Sequence, residues 1–327
     1  MQHLGDFTSG FVLVTGAKGF VGLPLSTALV DLGYQVRGTV RDAFQANDSQ
    51  ETLVVGDING DTAWTEALVD VSVVIHLAAR VHVMNETVVD ALSAYRKVNV
   101  EGTLNLAKQA VQAGVKRFIF ISSIKVNGEG TVLGHPYNEE QTLTPLDAYG
   151  LSKYEAELAL QQIAKDTGLQ VVIIRPTLIY GPGVKANFKT MMRCIDLRIP
   201  LPLGSVHNQR SLLALDNLID LIRLCITHPS AANQTFLASD GVDLSTPELL
   251  TAMAVALGKP ARLIKLPENL LLMGAKLLGK QAMAQRLCGS LQVDSSKARK
   301  LLGWQPPVSV QEALLKVAVD YKNNQTC

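Results

Sequence analysis

The segment DAYGLSKYEAE, residues 147–157, sets a tyrosine and a lysine four residues apart at the start of a stretch with helical character. At this spacing Tyr149 and Lys153 lie on the same face of a helix. Such a pair can transfer a proton, because a neighbouring ammonium lowers the pKa of a phenol. The same spacing also occurs in ordinary amphipathic helices, so its interpretation depends on the elements that surround it.

Those elements alternate short β-branched runs with longer helical patterns. Strands are predicted at FVLVTG, YQVRGTV, ETLVVGD, VSVVIHLAA, RFIFISS and LQVVIIRP. Strands that are apolar on both faces and separated by helices indicate a parallel sheet covered on both sides. After Arg175 the chain is rich in Gly and Pro and then mostly helical. We therefore predict an α/β fold, a doubly wound parallel sheet of the Rossmann type with a smaller, mostly helical C-terminal lobe.

The predicted division assigns residues 1–177 to a dinucleotide-binding domain, to which residues 208–240 return. Residues 178–207 and 241–327 then form a substrate-binding lobe. Within that lobe, residues 266–287 are strongly apolar but are interrupted by Glu268, Lys276 and Lys280. This predicts one or two amphipathic helices and no membrane span. The apolar face is expected to pack in the core, with contact to a membrane surface as the alternative.

Composition excludes several classes of protein. The chain has 327 residues, 47% apolar and 18% charged, as in a folded globular protein. A net charge of +1 with interspersed signs argues against a nucleic-acid partner. The N-terminus lacks the pattern of a secretory signal. The cysteines have no ligand or disulfide spacing, which predicts no metal site and a cytoplasmic protein; they are Cys194, Cys225, Cys288 and Cys327.

The motif VTGAKGFVG follows the first predicted strand and opens the first predicted helix. Gly16, Gly19 and Gly22, with Phe20 between them, suit a tight strand-to-helix turn. In such a turn a pyrophosphate approaches backbone N–H groups at the helix N-terminus. We therefore predict a dinucleotide site here.

The end of the second strand bears on which dinucleotide is bound. An acidic residue there would hold the ribose 2′-hydroxyl of NAD, but the sequence reads GTVRD, with Arg41 after the strand. A guanidinium suits a 2′-phosphate, so the sequence favours NADP(H) over NAD(H), which remains the alternative. The alternative for Arg41 itself is a surface arginine that binds no ligand. Asp57, at the end of the third strand, is expected near the adenine amino group.

These features occur in a fixed order: the glycine turn, HLAA after the fourth strand, ISS after the fifth, and then the tyrosine–lysine pair. Together with RPTLIYGPG and DSSKARKLLGWQP, they resemble the extended short-chain dehydrogenase/reductase family in its nucleotide-sugar epimerase and reductase branch. The resemblance implies that Ser123 is the catalytic hydroxyl, Tyr149 the acid/base and Lys153 its activator, with Asn99 supporting the lysine. It also implies cofactor contacts from Ile58, Ala78, Ala79 and Pro176.

The reaction class follows from a missing feature. Dehydratases and decarboxylases of this family carry acidic residues directly after the catalytic hydroxyl, whereas this chain has Ile124 and Lys125. Hydride transfer at C4 of a UDP-sugar remains. The resemblance favours reduction of a UDP-4-keto-6-deoxy-N-acetylhexosamine in bacterial O-antigen synthesis, with a UDP-glucose or UDP-N-acetylglucosamine 4-epimerase as the alternative. It also allows a homodimer. An NADP-binding sensor or scaffold is the non-enzymatic alternative.

Substrate contacts are also implied by the resemblance. Arg210 and Arg286 are candidates for the diphosphate, although each could form a surface ion pair instead. Asn187 and Phe188 match the region that holds the base, although the ring could equally pack in the core. His82 is a candidate sugar contact or an ordinary loop histidine.

Overall fold

The computed structural model describes residues 10–42, 51–81, 90–141, 145, 147–277 and 279–324. Its strands are β1 Phe11–Thr15, β2 Val36–Val40, β3 Glu51–Val54, β4 Val71–His76, β5 Arg117–Ile121, β6 Gln170–Pro176, β7 Leu178–Tyr180, β8 Arg210–Ala214, β9 Thr235–Ala238 and β10 Asp243–Leu244. Its helices are α1 Gly22–Asp31, α2 Ala91–Arg96, α3 Thr103–Gln112, α4 Ala148–Thr167, α5 Ala186–Asp196, α6 Leu215–Thr227, α7 Thr246–Leu257, α8 Glu268–Leu277, α9 Gln281–Cys288, α10 Ser296–Leu302 and α11 Val310–Asn323.

Seven strands form one sheet in the order β3-β2-β1-β4-β5-β6-β9, and every neighbouring pair is parallel. The chain runs from β1 outward to β3 and then crosses to β4 on the other side of β1. This reversal creates a crevice at the carboxyl ends of β1 and β4, the usual ligand position in an open α/β sheet. The predicted doubly wound α/β fold is confirmed.

The period-2 alternation of the strands fills two separate cores. Val12 and Val14 of β1 pack on one face of the sheet with α1, α6 and α10. Leu13 between them packs on the other face with α3 and α4. Since both faces are covered, the central strands must be apolar throughout, which is why they could be recognised in the sequence.

The C-terminal lobe contains a feature that was not predicted. β7, β8 and β10 form a second sheet in the order β10-β8-β7. These strands are two to five residues long and lie next to segments that contain Gly and Pro, so they lack a clear alternation pattern. α5, α7 and α11 pack around this sheet in a third core. No helix in the described ranges is long and apolar enough to cross a membrane. The division into two domains stays a prediction.

A buried ion pair joins α4 to β6 under the carboxyl end of the sheet. Arg175 donates from Nη2 to Glu157 Oε2 at 2.6 Å and from Nε to both carboxylate oxygens. The two side chains are 4% and 1% exposed. Ser122 also donates to Glu157, and Arg175 reaches Asn127 Oδ1 at 3.0 Å. The pair thus joins the helix that carries Tyr149 to β6, and the Ser122 hydrogen bond joins both to the end of β5, which Ser123 follows.

We expect Arg175→Met to lower the free energy of unfolding by about 3–5 kcal/mol, because it leaves the Glu157 carboxylate buried without a partner. Lys316→Met is the matched control, since Lys316 and Asp216 form an exposed ion pair at 3.0 Å. Its cost should stay below about 1 kcal/mol. Urea unfolding followed by circular dichroism measures both, and equal midpoints for the two variants would contradict the prediction.

Candidate active site

The glycine turn lies at the crevice between β1 and β4. Gly16 has φ +67°, and a Cβ there would lie 3.2 Å from the backbone nitrogen of Ala78. A Cβ on Gly22 would lie 2.1 Å from the carbonyl oxygen of Gly16. Neither position therefore accepts a larger residue without moving backbone. α1 begins at Gly22 with neither a side-chain cap nor an acidic residue in its first turn, so its N-terminal N–H groups can bind an anion. This cradle fits the pyrophosphate of a dinucleotide.

A buried histidine, overlooked in the sequence, fixes the facing strand end. Thr15 Oγ1 accepts from the N–H groups of Leu77 and Ala78 at 3.2 and 3.1 Å. Its proton therefore points to His76 Nδ1 at 2.7 Å, and His76 Nε2 donates to Thr103 Oγ1 at 2.9 Å. Burial, and then the charge of Lys153, lowers the pKa of His76 to about 3. The neutral ring thus links β1, through Thr15, to α3, through Thr103, while Thr15 holds the backbone of the HLAA segment.

Ser123 and Tyr149 meet beyond the end of β5. Ser123 caps the 3₁₀ turn Ile124–Val126, where its Oγ accepts from Lys125 N at 3.2 Å. The phenol of Tyr149 is hydrogen-bonded to Ser123 and lies edge-on to Tyr95, with ring centroids 6.1 Å apart. Burial raises the pKa of Tyr149 to about 12; the Ser123 hydrogen bond lowers it, and Asp147 and Tyr95 raise it. A hydroxyl and a phenol therefore lie together, where both could reach one oxygen of a substrate.

Lys153 lies one helical turn after Tyr149 and is almost fully buried. Its Nζ donates to the carbonyl of Ile121 at 2.8 Å and lies 4.4 Å from the centre of the Phe120 ring. Burial lowers the pKa of Lys153 to about 7, while Glu157 raises it. Burial dominates the pKa of Tyr149, which lies above its usual value, so the lowering of that pKa by Lys153 stays a prediction.

Asn99 lies in a π-helical segment, Lys97–Gly102, that joins α2 to α3. Its Oδ1 accepts from Arg80 N at 2.8 Å, and its Nδ2 donates to Arg80 O and to Ser152 Oγ at 3.0 and 2.9 Å. Ser152 in turn donates to the carbonyl of Tyr149 at 2.8 Å. Asn99 therefore ties the segment after β4 to the turn of α4 that carries the tyrosine and the lysine.

Arg41 and Asp57 lie side by side after β2 and β3. Arg41 Nε is 3.2 Å from Asp57 Oδ1, and the two side chains are 69% and 81% exposed. The sequence placed these residues on different parts of the cofactor, whereas they form one exposed ion pair. This edge of the crevice thus offers both a guanidinium and a carboxylate.

The two arginines predicted for a diphosphate lie together. Arg210 Nη1 donates to the carbonyls of Arg286 and Gly289 at 3.1 and 2.9 Å, at the C-terminal end of α9. Burial, and then the charge of Arg286, lowers the pKa of Arg210. Within the described ranges neither arginine pairs with a carboxylate. Two adjacent cations without an acidic partner suit an anionic ligand.

The remaining candidates divide between exposed and buried positions. Asn187 is exposed at the start of α5. Phe188 is only 2% exposed and stacks on Tyr180 with ring centroids 5.4 Å apart. Its assignment as a base contact is therefore corrected to core packing, because the ring has no free face. His82 lies outside the described residues.

The other predicted cofactor contacts lie around the crevice. Phe20 and Ala79 are partly buried, after β1 and β4 respectively. Ile58 packs closely on Gly102: a Cβ on Gly102 would lie 2.5 Å from Cγ2 of Ile58. Pro176 ends β6 opposite Ala238 of β9.

The fold and the site define a dinucleotide-dependent enzyme with a serine, tyrosine and lysine at the carboxyl end of a doubly wound sheet. Residues 12–238 match the NAD dependent epimerase/dehydratase family, and the chain belongs to that family. It is 50% identical over 309 residues, 94% of each chain, to a UDP-glucose 4-epimerase of Vibrio cholerae.

Two solved structures share the fold. UDP-glucuronic acid 4-epimerase from Bacillus cereus, in complex with NAD, matches with a TM-score of 0.77 and 22% identity over 96% of this chain and 99% of its own. UDP-glucose 4-epimerase from Thermotoga maritima, with UDP-glucose, matches with a TM-score of 0.74 and 22% identity over the same shares. The family is NAD(P)-dependent, and its nucleotide-sugar enzymes include 4-epimerases.

We expect Asp147→Asn to move the pH-rate limb of the Tyr149 phenol downward by less than about one pH unit. The Asp147 carboxylate raises the phenol pKa, so removing its charge lowers that pKa. Asparagine can still cap α4, where Asp147 Oδ1 accepts from Gly150 N at 3.1 Å. Asp90→Asn, at the equivalent cap of α2, is the matched control and should leave the limb in place. A limb that moved upward in Asp147→Asn would refute this electrostatic assignment.

Proposed function

We propose that this chain is a 4-epimerase of a UDP-hexose, UDP-glucose or UDP-N-acetylglucosamine, that uses a nicotinamide dinucleotide. The observation that carries the proposal is the 50% identity, along 94% of both chains, to the Vibrio cholerae protein named UDP-glucose 4-epimerase. The contact between Ser123 and Tyr149 and the burial of Lys153 next to them support it. The relatives thus favour the epimerase over the reductase that the sequence motifs suggested.

In the proposed reaction Tyr149 accepts the proton of the sugar O4 hydroxyl and later returns it, while Ser123 orients that oxygen. When bound, the nicotinamide nucleotide supplies the hydride acceptor and donor for C4. The Lys153 ammonium, held by the Ile121 carbonyl, places a positive charge one helical turn from the phenol. Between the two half-reactions the 4-keto-sugar must turn its other face to the cofactor.

The pKa of Tyr149 decides whether donating or accepting a proton is the more difficult step for the phenol. At about 12 the phenol is protonated near neutral pH and is ready to act as an acid. Acting as a base near pH 7 requires about five pKa units of stabilisation of the phenolate, or about 7 kcal/mol. The Ser123 hydrogen bond acts in this direction, as does any positive charge brought into the pocket. A Lys153 pKa of about 7 means that the ammonium gains in population as pH falls.

The residues after Ser123 argue against elimination. Ile124 is buried, and Lys125 Nζ lies 3.3 Å from Glu129 and 3.2 Å from Asp147. Neither position holds a carboxylate that could remove a proton from the sugar. Dehydration and decarboxylation are therefore outside the proposal.

The substrate's diphosphate is assigned to Arg210 and Arg286. Burial, and then the charge of Arg286, lowers the pKa of Arg210, so a dianion between the two guanidinium groups relieves a repulsion and also gains charge-assisted hydrogen bonds. The non-enzymatic alternative leaves this arrangement unexplained, because a dinucleotide sensor needs no second phosphate site in the C-terminal lobe.

A 4-keto-reductase remains the second candidate, and the end of β2 is the observation that favours it. Arg41 stands where an acidic ribose ligand is expected and favours NADP(H), a cofactor that a net reductase exchanges at every turnover. The ion pair between Arg41 and Asp57 weakens this argument, since the carboxylate offsets the guanidinium charge.

One experiment separates these functions. The purified chain is incubated with UDP-glucose, UDP-N-acetylglucosamine or a UDP-4-keto-6-deoxy-N-acetylhexosamine, with NAD(H) or NADP(H), and the products are identified by NMR. Interconversion of gluco and galacto sugars without net cofactor oxidation supports the epimerase. Stoichiometric oxidation of NADPH with the keto-sugar alone would replace it with the reductase, and no turnover of any substrate would favour the sensor.

We expect Tyr149→Phe to lower kcat by about 10²–10⁴-fold, because the ring keeps its packing but loses the transferable proton. Cofactor affinity, measured by fluorescence titration, should barely change. Tyr154→Phe, on the same helix, is the matched control and should retain activity. Near-normal kcat in Tyr149→Phe would mean that another group carries the proton.

We expect Asp57→Asn to raise the affinity for NADP(H) relative to NAD(H) by up to about fivefold, since an exposed ion pair is worth about 1 kcal/mol or less. The substitution releases Arg41 and removes a negative charge that would repel a 2′-phosphate. Asp61→Asn, an exposed neighbour, is the control. An unchanged ratio in Asp57→Asn, together with an unchanged ratio in Arg41→Ala, would exclude Arg41 as a phosphate contact.

A further inference from the structure

The two short helices α8 and α9 expose apolar side chains that have no role in the candidate site. No described residue of α8 is buried. Leu270, Met273 and Leu277 are 48%, 57% and 82% exposed, and their i, i+3, i+7 spacing puts them on one face of the helix. The expectation that this segment packs in the core holds only for its inner side, where Leu271 and Leu272 contact the C-terminal core.

The same segment carries a positive charge. Residues 268–288 contain three Lys or Arg and a single acidic residue, Glu268, in a chain whose net charge is +1. This segment therefore has a net charge of +2, and the rest of the chain has −1. Lys276 and Lys280 are exposed beside the apolar stripe, and Met283 and Arg286 are exposed on α9.

We propose that the outer face of α8 and α9 docks on the surface of an anionic phospholipid bilayer. A short helix with an apolar stripe flanked by lysines is the pattern of interfacial helices, which lie in the headgroup region without crossing it. The apolar side chains enter the acyl boundary while the lysines meet lipid phosphates. The charge of this face selects an anionic membrane over a second copy of the chain, because two identical faces of net charge +2 repel each other.

The docking face lies next to the arginines of the candidate site. Arg286 lies on α9, and its carbonyl accepts from Arg210, so the docking surface adjoins the two arginines assigned to the diphosphate. A docked molecule would hold that end of its C-terminal lobe near the bilayer. The docking itself does not depend on the proposed reaction.

Flotation of the full chain with vesicles tests the proposal. Vesicles of phosphatidylethanolamine with phosphatidylglycerol should bind the protein at low salt and release it at high salt, whereas phosphatidylcholine vesicles should bind it weakly. Leu270→Ser/Met273→Ser/Leu277→Ser should weaken binding at least about tenfold. Its matched control is Leu315→Ser/Val319→Ser, which removes two side chains of α11 that are 51% and 59% exposed.

A second pair of variants tests the charges separately. Lys276→Gln/Lys280→Gln should weaken binding by about fivefold per lysine, whereas Lys108→Gln/Lys165→Gln, exposed on α3 and α4, should not. Circular dichroism confirms that each variant is folded. No flotation of the wild-type chain, or equal loss in the control variants, would overturn the proposal. So would a concentration-dependent dimer that the triple serine variant abolishes while vesicle binding stays absent.

Discussion

The burial of one ammonium, that of Lys153, is the constraint on which the site depends. The side chain is 2% exposed and its pKa falls to about 7, so its charge persists only through the groups around it. The Ile121 carbonyl accepts a hydrogen bond from the ammonium, and the Phe120 ring lies next to it. Glu157, one helical turn further along α4, raises the pKa of Lys153. A surface lysine at this spacing would need none of them.

Glu157 cannot serve that lysine alone, because a buried carboxylate also requires neutralisation. Arg175 supplies it from β6, and Ser122 adds a hydrogen bond from the end of β5. The same backbone turn then presents Ser123 to the phenol. Two adjacent serines thus face opposite ways: the first stabilises the charge network, and the second contacts Tyr149. The positions of Ser123 and Tyr149 therefore depend on the buried charges of Glu157 and Arg175.

Much of this architecture could be predicted from the sequence, because it depends on local patterns. Continuous apolar strands, glycines that only a tight turn requires, and the Tyr149–Lys153 spacing are all readable within a few residues. The His76 network could not be predicted, since Thr15 and His76 lie 61 residues apart and meet only when β1 pairs with β4. The Arg175–Glu157 pair also needs the pairing of a helix with a strand. The sequence left Phe188 open between a base contact and core packing, and its burial and its stacking on Tyr180 favour the core.

Backbone hydrogen bonds, and not side-chain contacts alone, connect the C-terminal lobe to the segment that follows Ser123. Residues 290–293 lie between the segment after β5 and strand β8: Thr131 N donates to Ser290 O at 2.9 Å, and Ser211 N donates to Leu291 O at 2.8 Å. Arg210 opens β8 and holds the carbonyl of Gly289 at the start of this connection. An anion that draws the two arginines together must therefore act on a segment hydrogen-bonded to the loop that begins at Ser123. In the proposed function, binding of a diphosphate by the two arginines and positioning of the Ser123 hydroxyl would be linked through this one short run of main chain.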